Sequence, residues 1–256
     1  MVGPPRSIQY LTMRQAVPLR WITIPLIVVI LLLVLDLTTD LDRTLTRYAY
    51  DAHSAGFPLR TSYWLDVIMH HWAKYAVVTI GCLAIAGFLL SFALPTLQPH
   101  RRVLLFLALA IALAPLSVTA GKAASARHCP WDIDEFGGLV PYAGLFDPIA
   151  PSVKPGHCFP AGHASTGFAL MAFYFVAHAH RRRKAARVAL AIGIAAGLVL
   201  GAGRVLQGAH FASHVAWSGL VCWAVMVVLY ALLFRAARPE EFPVSAALPL
   251  GRPEHA

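Results

Sequence analysis

Five ionisable side chains of this sequence could together handle an anion, because two of them are permanent cations and three are imidazoles. They are Lys122, His163, Arg204, His210 and His214. Arginine forms paired hydrogen bonds to phosphate oxygens, and lysine adds a point charge. Histidine serves as a nucleophile or as the general acid that protonates a leaving group. These residue types predict chemistry on a phosphate-like group, provided that the fold brings them together.

The composition indicates what kind of protein must position these residues. Of the 256 residues, 58% are hydrophobic and 13% are charged, whereas soluble domains carry about 25% charged residues. The low charge excludes a disordered chain and argues against a soluble enzyme. The net charge of +9 could suggest a nucleic-acid partner. The basic residues are distributed by membrane side, however, so we expect no nucleic acid.

Six apolar stretches approach the roughly 20 residues that a helix needs to cross a bilayer. They are 21–35 (extending through 39), 75–94, 103–120, 164–179, 188–203 and 211–234. Their apolar residues do not alternate with the period of two that is typical of strands. The predicted fold class is therefore an all-α integral membrane protein, a bundle of six transmembrane helices with an outer interfacial segment at 36–74.

Lysine and arginine set the predicted orientation. With the N-terminus in the cytoplasm, the inner segments hold 13 of the 21 basic residues and 3 of the 12 acidic ones, which is the bias of cytoplasmic segments. Residues 1–20 are then a cytoplasmic N-terminal segment, and 237–256 are a cytoplasmic tail. Between them, 21–236 form one membrane domain. Its long outer loop, 122–162, is expected to be functional, because long loops in compact proteins usually are.

This topology gathers the ionisable residues at one membrane face. Lys122 and Arg204 end the third and fifth predicted spans at the outer side. His163 begins the fourth span, and His210 begins the sixth, with His214 one turn deeper. Ionisable groups at this depth are costly and are usually functional. Interfacial snorkelling explains one such residue, but the convergence of several favours a site.

Three motifs at these positions resemble those of the type 2 phosphatidic acid phosphatases, a family of integral membrane lipid phosphatases. The family motifs are K-x6-R-P, P-S-G-H and S-R-x5-H-x3-D. This chain reads K-x6-C-P at 122–130, P-A-G-H at 160–163 and G-R-x5-H-x3-H at 203–214. Their order and spacing match over about 103–234, and six helices fit the family fold.

The resemblance implies a two-step phosphoryl transfer without a metal or another cofactor. His210 would attack phosphorus and form a phosphohistidine, and His163 would protonate the leaving group. Lys122 and Arg204 would bind the phosphate and stabilise the charge that develops in the transition state. The backbone N–H groups at Gly162, where a helix begins, also favour an anion.

The first departure from the family pattern is Cys129, which stands where the family has arginine. One phosphate-binding cation is therefore missing, and Arg127 or Lys154 could supply it. Cys129 and Cys158 both lie in the outer loop, on the oxidising side of a bacterial inner membrane, so we expect a disulfide between them. It would close a loop of about 30 residues and contribute about 3–4 kcal/mol by chain entropy. Two free thiols are the alternative.

Two further departures concern the second and third motifs. Ala161 replaces serine and removes a hydroxyl donor. His214 replaces the aspartate that orients the nucleophile in the family. A neutral imidazole at that position can accept a hydrogen bond from His210, but it brings no negative charge.

The sequence therefore predicts a multi-pass protein of the bacterial inner membrane, with its active site facing the periplasm and membrane lipids around it. The expected reaction is removal of phosphate from a lipid phosphate or diphosphate. Polyprenyl diphosphate, phosphatidylglycerol phosphate, phosphatidate and lipid A phosphates are all open as substrates, and so is the oligomeric state.

Four alternatives stay open at this point. The chain could be a lipid phosphotransferase of the same fold, or an inactive protein that binds or carries lipid phosphates. His210 and His214 are four residues apart, a spacing that also suits a metal-dependent membrane hydrolase, although no glutamate lies between them. A channel ranks last, because no charged ring lies along a helix interior.

Overall fold

The computed structural model describes residues 16–235. The predicted tail 237–256, and the predicted N-terminal segment 1–20 except for its last five residues, lie outside the described residues. The α-helices are Arg20–Thr38 (α1), Leu41–Arg47 (α2), Ala73–Leu90 (α3), Arg101–Ala124 (α4), Gly162–Phe168 (α5), Ala172–Ala179 (α6), Arg183–Leu206 (α7) and Ala212–Arg235 (α8). A π-helix, Trp64–Trp72, runs directly into α3. This part of the chain has the predicted all-α character.

Five helices in the described residues are long and apolar enough to cross a membrane, judged by length and composition. They are Arg20–Thr38, Trp64–Leu90, Gln98–Ala124, Arg183–Leu206 and Ala212–Phe234. Several of them expose large apolar side chains, among them Ile24, Leu83 and Ile192. Extended apolar surface of this kind is stable against lipid rather than water. The chain is therefore a multi-pass membrane protein.

The prediction of six spans is not confirmed, because the fourth predicted span, 164–179, is not one continuous helix. It forms α5, a 3-10 turn at Ala169–Met171, and α6 in succession. Most of its side chains are buried, including Phe168 and Phe175. Its apolar composition thus reflects packing in the centre of the bundle, which composition alone does not separate from contact with lipid.

The predicted outer interfacial segment, 36–74, is not confirmed. Its last part, Trp64–Trp72, is helical and continuous with α3, so the second candidate span begins at Trp64 rather than at 75. Asp66 and Lys74 reduce the apolar character of this stretch in the sequence. Polar side chains at the end of a span reach water, so they do not stop the helix there.

An aromatic cluster fastens the first turn of α1 to the bundle. Trp21 is buried and packs edge-on against Phe175 and Tyr230. Its indole nitrogen donates to the Tyr174 hydroxyl at 2.5 Å, and its carbonyl oxygen accepts from the Trp223 indole at 2.8 Å. Buried indole N–H groups need such partners. These contacts attach the first turn of α1 to the second half of α8, away from the first turn of α8.

Helices α5 and α7 cross with their backbones in contact. A Cβ atom at Gly167 would lie 2.6 Å from backbone atoms of α7. A Cβ atom at Gly197 would lie 2.3 Å from the ring of Phe168. Small residues permit this close approach, as they do between helices in membranes. The contact fixes α5 against α7, and with it His163 relative to Arg204.

Two segments, 39–63 and 125–161, form what we call the outer cap, after the side predicted for them. Its small core consists of Phe57, Ile133 and Phe136 together with Phe211, which lies between α7 and α8. Glu135 links the two segments through ion pairs with two arginines of α2, at 2.7 and 2.5 Å. Because Phe211 directly follows His210, the cap core reaches the residues that the motifs single out.

Replacing Gly197 by alanine should lower the free energy of unfolding by about 1–3 kcal/mol, because the new Cβ would overlap the Phe168 ring. The matched control is Gly203→Ala on the same helix. There the Cβ would meet the flexible end of Met69 at 3.3 Å, and helix propensity favours alanine by up to about 1 kcal/mol. Thermal unfolding in detergent, followed by tryptophan fluorescence, measures both. Equal shifts would contradict the close contact of α5 and α7.

Candidate active site

Buried hydrogen bonds join the start of α5 to the start of α8. The backbone N–H of Ala161 donates to the carbonyl oxygen of His214 at 3.2 Å. The Ser218 hydroxyl lies 2.9 Å from the Ala161 carbonyl oxygen and 2.8 Å from that of His214, so its single proton is shared between them. This joint brings His163, in the first turn of α5, next to the helix that carries His214.

The turn between α7 and α8 presents His210. Gly208 has a φ of 72°, and a Cβ there would lie 2.4 Å from the Phe57 ring. Glycine is required on both counts. The Gly208 carbonyl oxygen accepts from the Trp131 backbone N–H at 3.0 Å, and the following N–H donates to the Arg204 carbonyl oxygen at 2.9 Å. The turn thus keeps His210 near the end of α7, where Arg204 lies.

Arg204 is oriented by the end of its own helix and by the outer cap. Its Nη1 donates to Gln207 Oε1 at 2.8 Å and lies 4.0 Å from Asp66 Oδ1. The guanidinium also lies 5.9 Å from the centre of the Trp131 ring, within the range of a cation–π contact. Its Nε is buried and has no hydrogen-bond partner among residues 16–235. The hydrogen-bonding capacity of this donor is therefore unused within the described residues.

Lys122 lies where the end of α4 meets the motif 160–163. A Cβ atom at Gly121 would lie 3.3 Å from Pro160 Cδ, so the last turn of α4 abuts the start of the motif. Lys122 belongs to that turn and is half-buried. A Cβ atom at Gly162, in contrast, would meet nothing within 4 Å. Open space therefore adjoins the first residue of α5.

His210 is the buried centre of the cluster, with 3% of its surface exposed. Burial lowers the pKa of His210 well below its usual value, and repulsion between a protonated His210 and the cationic forms of four neighbours lowers it further. In order of decreasing effect, these neighbours are His214, Lys122, Arg204 and His163. The structure thus brings the other four predicted residues within electrostatic range of His210.

Neither His210 nor His214 has a nitrogen or oxygen hydrogen-bond partner at Nδ1 among the described residues. The rings lie 5.8 Å apart, centre to centre. Nδ1 of His214 is buried and has no hydrogen-bond partner in the described part of the chain. Nδ1 of His210 lies 3.4 Å from the Sγ atom of Cys158. The structure thus places a sulfur, rather than His214, beside Nδ1 of His210.

That sulfur belongs to a disulfide between Cys129 and Cys158, whose Cα atoms are 5.2 Å apart. Arg127 lies close by in the chain, but its guanidinium donates to the carbonyl oxygens of Gly144 and Asp147. These bonds hold the Arg127 side chain within the outer cap. The phosphate-binding role of Arg127 stays a prediction.

Three residues that hold the site were missed by the sequence reasoning. Two are Gln207 and Ser218. The third is Asp42 of α2, whose carboxylate accepts the N–H and the hydroxyl of Ser213 and so caps α8. Ser218 lies one helical turn after His214, a spacing that is visible in the sequence. The Asp42–Ser213 contact joins residues 171 positions apart, and such a pair leaves no local pattern.

One group of potential metal ligands is present among the described residues. The sulfurs of Cys129 and Cys158 and a ring nitrogen of His210 lie within 4.8 Å of one another. Cysteine binds metals as the thiolate, and these two sulfurs are bonded to each other. The group therefore does not fit a metal ion, and His210 with His214 is the pair that a metal hypothesis would use.

A groove of about 230 Å³ lies between α1, α2 and α8. It is lined mostly by apolar side chains together with two carboxylates: Leu32, Leu35, Leu41, Leu45, Ala216, Asp36 and Asp42. An adjoining cleft shares Asp36, Asp42 and Tyr142 with the groove and reaches His214. The groove and the cleft therefore adjoin each other, and His214 is the cluster residue that lines the cleft.

Comparisons with known proteins identify the family. The sequence matches the PAP2 superfamily over residues 103–238, a range that contains the whole cluster, and the chain belongs to this superfamily. It is also similar to the protein named Lipid A 4'-phosphatase of Francisella tularensis subsp. novicida (strain U112). The two are 27% identical over 175 residues, which cover 65% of this chain and 75% of that protein. A search of solved structures found no significant match.

The lowered pKa of His210 predicts a loss of stability on acidification. The unfolded histidine takes up a proton near pH 6.5, but the folded one does so only at lower pH. Between these values the unfolded state binds more protons, so stability falls as the pH drops below about 6.5. The decrease of stability with falling pH should be smaller in His210→Gln than in the wild type.

Unfolding temperatures in detergent between pH 8 and pH 5 measure this difference. His53→Gln is the matched control, because His53 is exposed in the outer cap, and it should retain the wild-type decline. The interpretation fails if all three proteins decline alike.

Proposed function

We propose that this protein is a membrane lipid phosphatase that acts through a phosphohistidine on His210. Membership of the PAP2 superfamily and the similarity to a lipid A 4'-phosphatase support a lipid phosphatase. The observation that carries the mechanism is the convergence on buried His210 of two cations and two imidazoles from separate helix ends.

In the proposed first step, Nε2 of His210 attacks phosphorus while the bond between phosphorus and the lipid oxygen breaks. His163 donates a proton to that oxygen, and the lipid leaves as an alcohol or, from a diphosphate, as a monophosphate. In the second step, water attacks phosphorus, the bond between phosphorus and nitrogen breaks, and His163 takes up the proton of the water. Inorganic phosphate leaves, and both histidines return to their starting states.

Lys122, Arg204 and the backbone N–H of Gly162 are the proposed phosphate-binding groups. The unused buried Nε of Arg204 and the open space beside Gly162 support these roles. Such donors contribute most where charge spreads over the equatorial oxygens of the transition state. His214 supports the nucleophile from the first turn of α8, as a buried neighbour of His210.

We further propose six membrane crossings, with 162–179 as the buried central one, and cytoplasmic termini. The site then faces the periplasm of a bacterial inner membrane. The charge distribution supports this orientation. α4 and α7 each begin with basic residues, Arg101 and Arg183, and end near the cluster, so the basic ends lie on the other side of the bilayer.

The groove between α1, α2 and α8 is the proposed entry for the hydrocarbon chains of the substrate. The lining residues that it shares with the cleft at His214 support lateral entry from the lipid. The similarity to a lipid A 4'-phosphatase makes lipid A phosphates the first substrates to test. Phosphatidate, phosphatidylglycerol phosphate and polyprenyl diphosphate complete the panel.

His210→Ala should reduce phosphate release from the responsive lipid to background, because no nucleophile remains. His163→Ala should lower kcat by about 10²–10⁴-fold, the usual contribution of a general acid. The matched control is His53→Ala, an exposed histidine outside the cluster, which should retain wild-type activity. Release of inorganic phosphate in detergent, with and without a chelator, is the assay.

Full activity of either cluster variant would refute this mechanism. Loss of activity with the chelator would favour the metal-dependent hydrolase, and transfer of phosphate to a lipid acceptor would favour the phosphotransferase. Tight lipid binding without turnover would favour the binding protein.

Ala216→Trp should raise KM for long-chain substrates about tenfold or more, because losing even two buried methylenes costs about 1.6 kcal/mol. A short-chain, water-soluble phosphate should be hydrolysed as by the wild type. The matched control is Ala224→Trp on the same helix, which is exposed outside the groove. The groove is not the entry if both variants treat the long-chain substrate alike.

A further inference from the structure

We propose that the Cys129–Cys158 disulfide is a positioning group for His210: its sulfur holds Nδ1 of the ring, so that Nε2 is the nitrogen that attacks. The inference rests on the proposed function for the identity of the nucleophile. It assigns the disulfide a role in the reaction beyond closing a loop.

The contacts of Cys158 determine which ring nitrogen carries the proton. Its Sγ lies 3.4 Å from Nδ1 of His210 and 3.2 Å from the carbonyl oxygen of Ala209, and both side chains are buried. A sulfur in a disulfide has no proton, so it donates to neither atom. It is a weak acceptor, so the proton belongs on Nδ1 and the lone pair on Nε2.

Among residues 16–235, the groups that act electrostatically on His210 are His214, Lys122, Arg204 and His163. None of these four is a carboxylate, so none of them is a negatively charged acceptor. Nδ1 of His214 has no partner within 16–235. A neutral sulfur thus selects the tautomer without stabilising the protonated ring, which a carboxylate would do.

The loop around the disulfide has other attachments that survive its reduction. The Cys158 N–H donates to the Arg127 carbonyl oxygen at 2.9 Å, and the Gly156 N–H donates to that of Ala126 at 3.1 Å. A ring nitrogen of His128 lies 2.9 Å from the Lys154 carbonyl oxygen. Cys158 should therefore stay beside His210 when the bond to Cys129 is broken.

Reduction changes what Cys158 offers to His210. A dithiol reductant supplies two electrons and two protons, the S–S bond breaks, both cysteines become thiols, and the reductant becomes a cyclic disulfide. The Cys158 thiol now has a proton to donate to Nδ1. That favours the tautomer with the proton on Nε2, which has no lone pair for attack.

Nitrogen-15 NMR of histidine-labelled protein in detergent tests the tautomer without any need for turnover. The signal that disappears in His210→Ala should show a protonated Nδ1 and an unprotonated Nε2 in the oxidised protein. After reduction with dithiothreitol the proton should move to Nε2. A protonated Nε2 in the oxidised protein overturns the proposal.

Activity assays on variants that all lack the crosslink test the consequence. Cys129→Ala/Cys158→Ala should lose roughly 10–100-fold in kcat, as is usual for groups that orient a reacting ligand, with KM nearly unchanged. Cys129→Ala/Cys158→Asp should have a kcat at least tenfold higher than that of the double alanine variant. The acid limb of its pH–rate profile should lie at higher pH than that of the wild type, because a carboxylate raises the pKa of a neighbouring histidine.

Cys129→Ala/Cys158→Asn is the matched control, since the amide has the same size without the charge, and its acid limb should not move. Equal losses in all three variants would mean that only the crosslink matters, and would overturn the proposal.

The failures of the two proposals are distinguishable. A wild-type protein that releases no phosphate from any lipid contradicts the proposed function, and the NMR measurement still decides the tautomer. Normal phosphate release by both the reduced wild type and the double alanine variant contradicts the role of the disulfide alone.

Discussion

The candidate site depends on the buried joint between the starts of α5 and α8. The first backbone N–H groups of a helix have no partner within that helix. Here the N–H of Ala161, just before α5, is satisfied by the carbonyl oxygen of His214, and Ser218 lies against both. A short helix is thus attached through the polar groups that it cannot satisfy itself. The spacing of His163 and His214 follows from backbone geometry, and reacting groups need that precision.

The two halves of the molecule hold the site by different forces. On the membrane side, glycines let α5 and α7 pack backbone against backbone, and tightly packed interiors resist deformation. On the other side, the outer cap is held by a small aromatic core, by partly exposed ion pairs of Glu135 and by the carboxylate of Asp42. Exposed ion pairs contribute about 1 kcal/mol or less. The cap core, which includes Phe211 from outside the cap segments, therefore carries most of its attachment, although the cap supplies a direct neighbour of His210.

The sequence predicts those features that local patterns encode. Apolar runs locate α1, α4, α7 and α8 within a few residues, and the motifs place Lys122 and Arg204 in the last turns of their helices. The pattern fails at 162–179, since a buried helix and a lipid-facing helix have the same apolar composition. It also fails at Trp64–Trp72, where polar side chains at a membrane edge resemble the end of a helix.

The supporting contacts of the site were beyond prediction for another reason. Ser213 is bonded to Asp42, and His210 faces the sulfur of Cys158. Each pair joins distant parts of the chain. Only the folded structure determines which side chain becomes the partner of which. The disulfide between Cys129 and Cys158 was predicted from the sequence, but its contact with the imidazole was not.

Helix α1 is fastened unequally along its length. Trp21 anchors its first turn in the aromatic cluster, whereas residues farther along, such as Ile27 and Leu31, face outward uncovered. The other end of α1 is held as well, because Asp42 of the following helix α2 accepts hydrogen bonds from Ser213 of α8. The helix is therefore fixed at both ends and bare along its middle, where lipid rather than protein supplies the packing partners.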